Sequence, residues 1–187
     1  MATTLEMLRK DFASGRKIMF VFFWGHQVPR DGSVSSTCFS QWYPAPFEAD
    51  GQMYPTAEHW MMAEKARLFG DDATLKLILA SRHPRQAKQL GRQVRGFDEG
   101  EWQRRRYEIV VEGNIRKFGQ NEMLGKFLAA TGRRVLVEAS PVDRIWGIGL
   151  AADDNQARNP TLWKGLNLLG FALMEVRERL HATTTCS

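Results

Sequence analysis

Apolar positions fall into two regimes along this chain, short strand-length runs near the start and longer helical stripes after residue 55. The run Ile18-Met19-Phe20-Val21-Phe22-Phe23 is continuously apolar, and Trp24-Gly25 ends it, which predicts a strand. Residues 26–37 read as a loop, with Pro29, Asp31-Gly32 and several serines. Residues 38–46 carry aromatics and two prolines and read as a rigid irregular segment. Asp50-Gly51 between two short flanks, Phe47 to Ala49 and Gln52 to Tyr54, is the two-residue hairpin signal. Thr56 after Pro55 predicts the N-cap of a helix reaching Phe69-Gly70. Asp71-Asp72 opens a shorter helix through Leu79, and Pro84 stands first in another, with Ala87, Leu90, Gly91 and Val94 on one face. Trp102, Arg106, Ile109, Val110 and Gly113 keep helical spacing up to Phe118. A helix over 122–130 stops at Gly132, and Val135-Leu136-Val137 is a short strand. Leu162, Leu166, Leu169, Leu173, Val176 and Leu180 step by four and three, which predicts one core-facing helix. Residues 1–17 read as an arm with a short helix, and 182–187 as a flexible tail. The pattern predicts a helix-rich α+β fold, one domain over 18–181 with a small sheet and a hairpin.

Composition narrows the class. The 187 residues, 43% hydrophobic and 25% charged, suit one domain with a core that needs no staples. No apolar run nears the ~18 residues of a membrane span, and the start lacks a signal-peptide layout. Cys38 and Cys186 lie far apart, which excludes a disulfide scaffold and a cysteine-built zinc site. A soluble cytoplasmic protein is expected, with nuclear access open. Lys and Arg number 26 against 21 Asp and Glu, so the charge of +5 favours anionic partners or serves solubility alone.

His26, His59, His83 and His181 lack metal-ligand spacing, and no glycine-rich loop fits a nucleotide fingerprint, so neither metal nor cofactor is expected. No serine sits in a hydrolase elbow, and Cys38 has no histidine nearby in sequence. The helix after Thr56 is different. Glu58 falls in its first turn and shares a face with Met61, Met62 and Lys65. A first-turn acid gains about 0.3–1 kcal/mol from the helix dipole, and a lysine two turns later is often a solvated end. Trp60, Met61 and Met62 also surround that carboxylate with apolar bulk, which suits an anion that stabilises a positive transition state. Both readings stand at this point.

Loops rich in aromatics, amides and glycines grip a flat ring and a sugar-phosphate. Such loops carry Trp24-Gly25, Ser40-Gln41-Trp42, Asp143 through Trp146-Gly147 and Gly149, and Asn159-Pro160. Trp24, Trp42 and Trp146 are candidates to stack on a base, with Ser40, Gln41 and Asn167 orienting hydroxyls or phosphate; His59 and Trp102 join the substrate-binding set. Asn167 lies one position off the leucine stripe, where a buried amide needs partners and a ligand is one. Arg82, Arg85 and Lys88, or Arg104, Arg105 and Arg106, hold a nucleic-acid backbone or form solvated faces.

Taken jointly, Phe22-Phe23-Trp24, Phe39-Ser40-Gln41-Trp42, Pro55-Thr56-Ala57-Glu58-His59-Trp60, Ala63-Glu64-Lys65, Trp146-Gly147 and Asn167-Leu168-Leu169-Gly170 through Arg177 resemble the NADAR (YbiA-like) family of small N-glycosidases. The resemblance implies a YbiA-like domain that hydrolyses a ribose–nitrogen bond. It implies that Glu58 is the catalytic carboxylate. Two substrate types follow: phosphorylated ribosylamino intermediates of riboflavin biosynthesis, and ADP-ribose on guanine bases of DNA or RNA. Riboflavin-type members carry Trp-Gly-Asp-Gly where this chain has Trp146-Gly147-Ile148-Gly149, leaving Asp143, or Asp153 and Asp154, as substitute acids. Asn159-Pro160-Thr161-Leu162-Trp163 resembles the other branch, so removal of ADP-ribose from guanine by a monomer is the favoured expectation. Lys65 offers a Schiff-base route if the ribose opens. A non-catalytic ADP-ribose-binding module and an ADP-ribosyl transferase are the alternatives.

Overall fold

The computed structural model describes residues 4–185. In chain order they form α1 (Leu5–Ala13), β1 (Phe20–Phe23), a 3₁₀ turn (Ser36–Phe39), β2 (Phe47–Ala49), β3 (Gln52–Tyr54), α2 (Ala57–Leu68), α3 (Asp72–Ala80), α4 (Pro84–Gly91), α5 (Glu99–Gln120), α6 (Glu122–Ala129), β4 (Val135–Glu138), a second 3₁₀ turn (Pro160–Leu162) and α7 (Leu168–Thr185). The helix-rich α+β class read from the sequence is what folds. Two compact units arise. Gln41–Glu122 is one; the residues up to Ser40 and from Met123 onward make the other.

In the inserted unit, β2 and β3 pair antiparallel with Phe47 opposite Tyr54. Asp50 and Gly51 both take positive φ, 51° and 76°, as a two-residue turn with the strands' own twist demands. Thr56 then caps α2, its side chain accepting from His59 N. The first turns of α2 are buried on nearly every side, from Ala57 through Ala63. Two glycines on neighbouring helices allow this. A Cβ at Gly113 of α5 would lie 2.3 Å from the Trp60 ring, and one at Gly91 of α4 would lie 2.0 Å from the Met62 sulfur. Trp60 Nε1 donates to Ile109 O at 2.8 Å, so its polar edge is paired inside the same contact.

In the other unit, β1 and β4 run parallel, Phe20 opposite Val135 and Phe23 opposite Glu138. Helix α7 rests directly on the β4 main chain; a Cβ at Gly170 would stand 2.1 Å from Leu136 O. Phe23 packs edge-on against Phe39, with ring centroids 5.4 Å apart, and Cys38 is buried beside them in the first 3₁₀ turn. The predicted arm docks as α1, where Arg9 Nε donates to Pro160 O at 3.0 Å.

Two expectations need correction. The last helix begins at Leu168, not near Leu162, because Asn167 sits at φ 54°, a left-handed turn that no α-helix continues through. Leu162 and Leu166 are exposed, and the core stripe starts at Leu169. The helix also runs on through Thr185, so 182–185 is helical; Cys186 and the end of the expected tail lie outside the described residues. No helix among the described residues is long and apolar enough to cross a membrane.

Candidate active site

The cap at Thr56 fixes where Glu58 stands. Its main-chain nitrogen, one of the donors that a helix start leaves open, donates to Gln41 O at 2.9 Å. Glu58 is only 2% exposed, so its side chain is withdrawn from water. Gln41 is also buried, and its side-chain Oε1 accepts from Asn114 Nδ2 at 2.8 Å. Asn114 Nδ2 donates again to Val110 O on its own helix. One turn further along α5, Lys117 is fully buried, its Nζ 5.8 Å from the Tyr43 ring centroid and 5.0 Å from that of Phe118. Glu58, Gln41, Asn114 and Lys117 are thus four buried polar residues of the inserted unit, with Gln41 and Asn114 joined side chain to side chain.

His59 is buried, with Nδ1 2.8 Å from Thr56 Oγ1. Burial pushes its imidazole below the ordinary histidine range, against an upward pull from the Ser81 main chain. Lys65 is half-buried. Its Nζ lies 4.0 Å over the Phe97 ring and 5.5 Å from that of Trp102, so Trp102 forms a wall for this amine. Desolvation pushes the Lys65 ammonium below the usual lysine range, with Glu99 opposing. Trp42 is half-buried, with Lys88 Nζ 5.7 Å from its ring centroid. Arg82 and Arg85 are exposed, whereas Arg104 is paired with Glu101.

The remaining predicted residues belong to the other unit. Trp24 is exposed just after β1, and Gly25 takes φ 81° with open space around it. Ser40 ends the first 3₁₀ turn, its N–H donating to Thr37 O. Asp143 Oδ1 accepts from Ile145 N and Trp146 N, both at 2.8 Å, which closes the loop that holds the half-buried Trp146. Gly147 and Gly149 are packed by chain: added Cβ atoms would lie 2.8 Å from Glu138 O and 3.0 Å from Lys164 Cβ. Ile148 between them is fully buried, bonding through its main chain to Glu138 O and Lys164 N. That position is core in this protein. Asn159 Oδ1 caps the second 3₁₀ turn at Thr161. Asn167 finds its partners in β4, where Glu138 N donates to its Oδ1 at 3.0 Å and its Nδ2 donates to Leu136 O at 2.9 Å.

Asn114 and Lys117 escaped the sequence reading. Their signal was present: Asn114 and Lys117 follow Val110 at helical spacing, between the buried Val111 and Phe118, a polar pair riding an apolar face.

A small helix-rich α+β domain, with a buried acid in the capped first turn of a helix, is the class this architecture defines. Residues 22–181 match the model of the NADAR domain, and the chain belongs to that family. N-glycosidase R617 of Acanthamoeba polyphaga mimivirus is 43% identical over 164 residues, taking in 85% of this chain and 95% of its own. N-glycosidase YbiA of Escherichia coli is 31% identical over 142 residues, 76% of this chain and 80% of its own. The solution structure of E. coli YbiA superposes with a TM-score of 0.71 at 27% identity, covering 89% of this chain and 88% of that one.

Proposed function

We propose that this protein is an N-glycosidase that hydrolyses the bond between a ribose anomeric carbon and nitrogen, and that its substrate is ADP-ribosylated guanine in nucleic acid. The observation that carries this reading is Glu58, a 2%-exposed carboxylate on a capped helix start, in a chain whose relatives include proteins named N-glycosidases. As the carbon–nitrogen bond breaks, positive charge builds on the sugar ring. A fixed carboxylate in a dry setting lowers that barrier by several kcal/mol, because its field is weakly screened. Water then gives its hydroxyl to the anomeric carbon and its proton to the departing nitrogen. Lys65 supports a second route on the same substrate. Its amine is desolvated against Phe97 and Trp102, which favours the neutral form that can attack the aldehyde of an opened ribose.

The guanine preference draws support from Ile148, a core residue where riboflavin-type members carry an acid, and from the exposed Arg82 and Arg85 on the inserted unit. The test is incubation with ADP-ribosylated guanine DNA and, separately, with a phosphorylated ribosylamino compound. Free ADP-ribose from the DNA is the expected product, with a rate that falls as salt rises. Release from the small compound alone overturns the substrate assignment, and release from neither overturns the enzyme.

A further inference from the structure

We propose that Lys117 is the buried counter-charge of Glu58 and the positioning residue for its carboxylate; the catalytic part of this rests on the function proposed above. Lys117 is 0% exposed and Glu58 2%, and both lie in the inserted unit. An ammonium withdrawn from water is strongly disfavoured unless an anion and hydrogen bonds replace its hydration. The rings of Tyr43 and Phe118 wall Lys117, but cation–π attraction replaces only a part of what water gave. A carboxylate is required. Of the deeply buried carboxylates in this unit, Asp71 is already committed to Thr74 and Arg95. Glu58 is the other.

Gln41 brings the two together. Its carbonyl holds the Glu58 turn of α2 at 2.9 Å, and its side chain holds Asn114, which shares a face of α5 with Lys117 three residues on. Helices α2 and α5 also pack against each other, and glutamate and lysine side chains are long enough to bridge such a contact. The cluster also keeps Gln41 Nε2 and Asn114 Oδ1 buried without a hydrogen-bond partner among the described residues, as polar sites built for a ligand do. In this arrangement one Glu58 oxygen takes the ammonium, and the anion is held oriented for the sugar.

The test compares K117M, K117R, E58Q and the double variant E58Q/K117M by thermal unfolding and by kcat and KM for glycosidic cleavage. K117M strands a buried carboxylate and lowers the melting temperature. E58Q/K117M, with both charges gone, melts above K117M. Losses that simply add in the double variant overturn the pair. Where K117M is insoluble, a soluble double variant supports the pair, and an insoluble double beside a soluble E58Q overturns it. For positioning, K117M loses about 100-fold in kcat, the effect of a group misplaced by about an ångström, with KM little changed, and K117R recovers part of the loss. Coupled stability with wild-type kcat in K117M overturns the positioning role alone. Absence of any cleavage by the wild type overturns the proposed function, while the melting cycle still decides the pair.

Discussion

The main-chain nitrogen of Glu58 is hydrogen-bonded to the carbonyl oxygen of Gln41 at 2.9 Å, so the turn that carries the candidate acid is anchored through the main chain. Glu58→Gln therefore keeps the turn in place. It is expected to fold while losing about 10²–10³ in kcat, as removal of a preorganised electrostatic group does. Product release followed by chromatography decides this, and near-normal turnover would remove Glu58 from the reaction.

Lys65 gives a pH-dependent signature. Only the neutral amine attacks a carbonyl, and desolvation by Phe97 and Trp102 moves the Lys65 ammonium below the usual value of about 10.4. Its neutral fraction rises with pH and rises earlier than for an exposed lysine. Borohydride trapping during turnover should yield a sugar adduct at Lys65, with a yield that climbs with pH and levels off at a lower pH than an exposed lysine would show. K65R should give none. An adduct-free wild type under turnover would eliminate the Schiff-base route.

Asp71 should control acid stability. Its buried carboxylate takes hydrogen bonds from Arg95, through guanidinium and main chain, and from Thr74, which hold it well below the usual carboxylate range. A lowered folded-state value stabilises the protein fully above the unfolded value, about 3.9, and that contribution fades as pH falls below it. The melting-temperature gap between wild type and D71N should be widest near neutral pH and narrow below pH 4. A gap independent of pH would contradict the ion pair.

Asn167 carries two separable contributions, a left-handed φ of 54° and a side chain bonded at both ends to β4. N167G keeps the backbone and loses the bonds; N167A loses both. Each stranded main-chain group costs about 1–3 kcal/mol. Alanine should be worse than glycine by about 1–2 kcal/mol, the strain of the left-handed backbone. Urea unfolding of the two variants measures the difference, and equal stability would refute the account.

Local chemistry made much of this fold legible. Asp50-Gly51 dictated the hairpin, Thr56 and Asp71 started their helices, and Pro84 and Gln120 lie close to the ends expected for theirs. The start of α7 was hidden because Leu162 and Leu166 mimic helical spacing, whereas Asn167 breaks the helix to meet a strand about 30 residues earlier. Asp143, Asn159 and Asn167, read as candidate ligand contacts, each also bond main chain through the side chain, a structural duty that the letters of a sequence do not display. Lys117 was obscured by the other cations of α5, Arg104, Arg105, Arg106 and Arg116, none of which is fully buried.

The parallel match of Phe20 with Val135 joins points about 115 residues apart. A ribosome extending at about 5–20 residues per second leaves the first of them waiting roughly 6–23 s for the other. Throughout that interval the hairpin and helices of Gln41–Glu122, whose own contacts fall within one continuous stretch of chain, have time to assemble. The nascent polypeptide meanwhile displays Phe20–Phe23 unsheltered, an early target for chaperones and for aggregation, and the strand made first is among the last to find its neighbour.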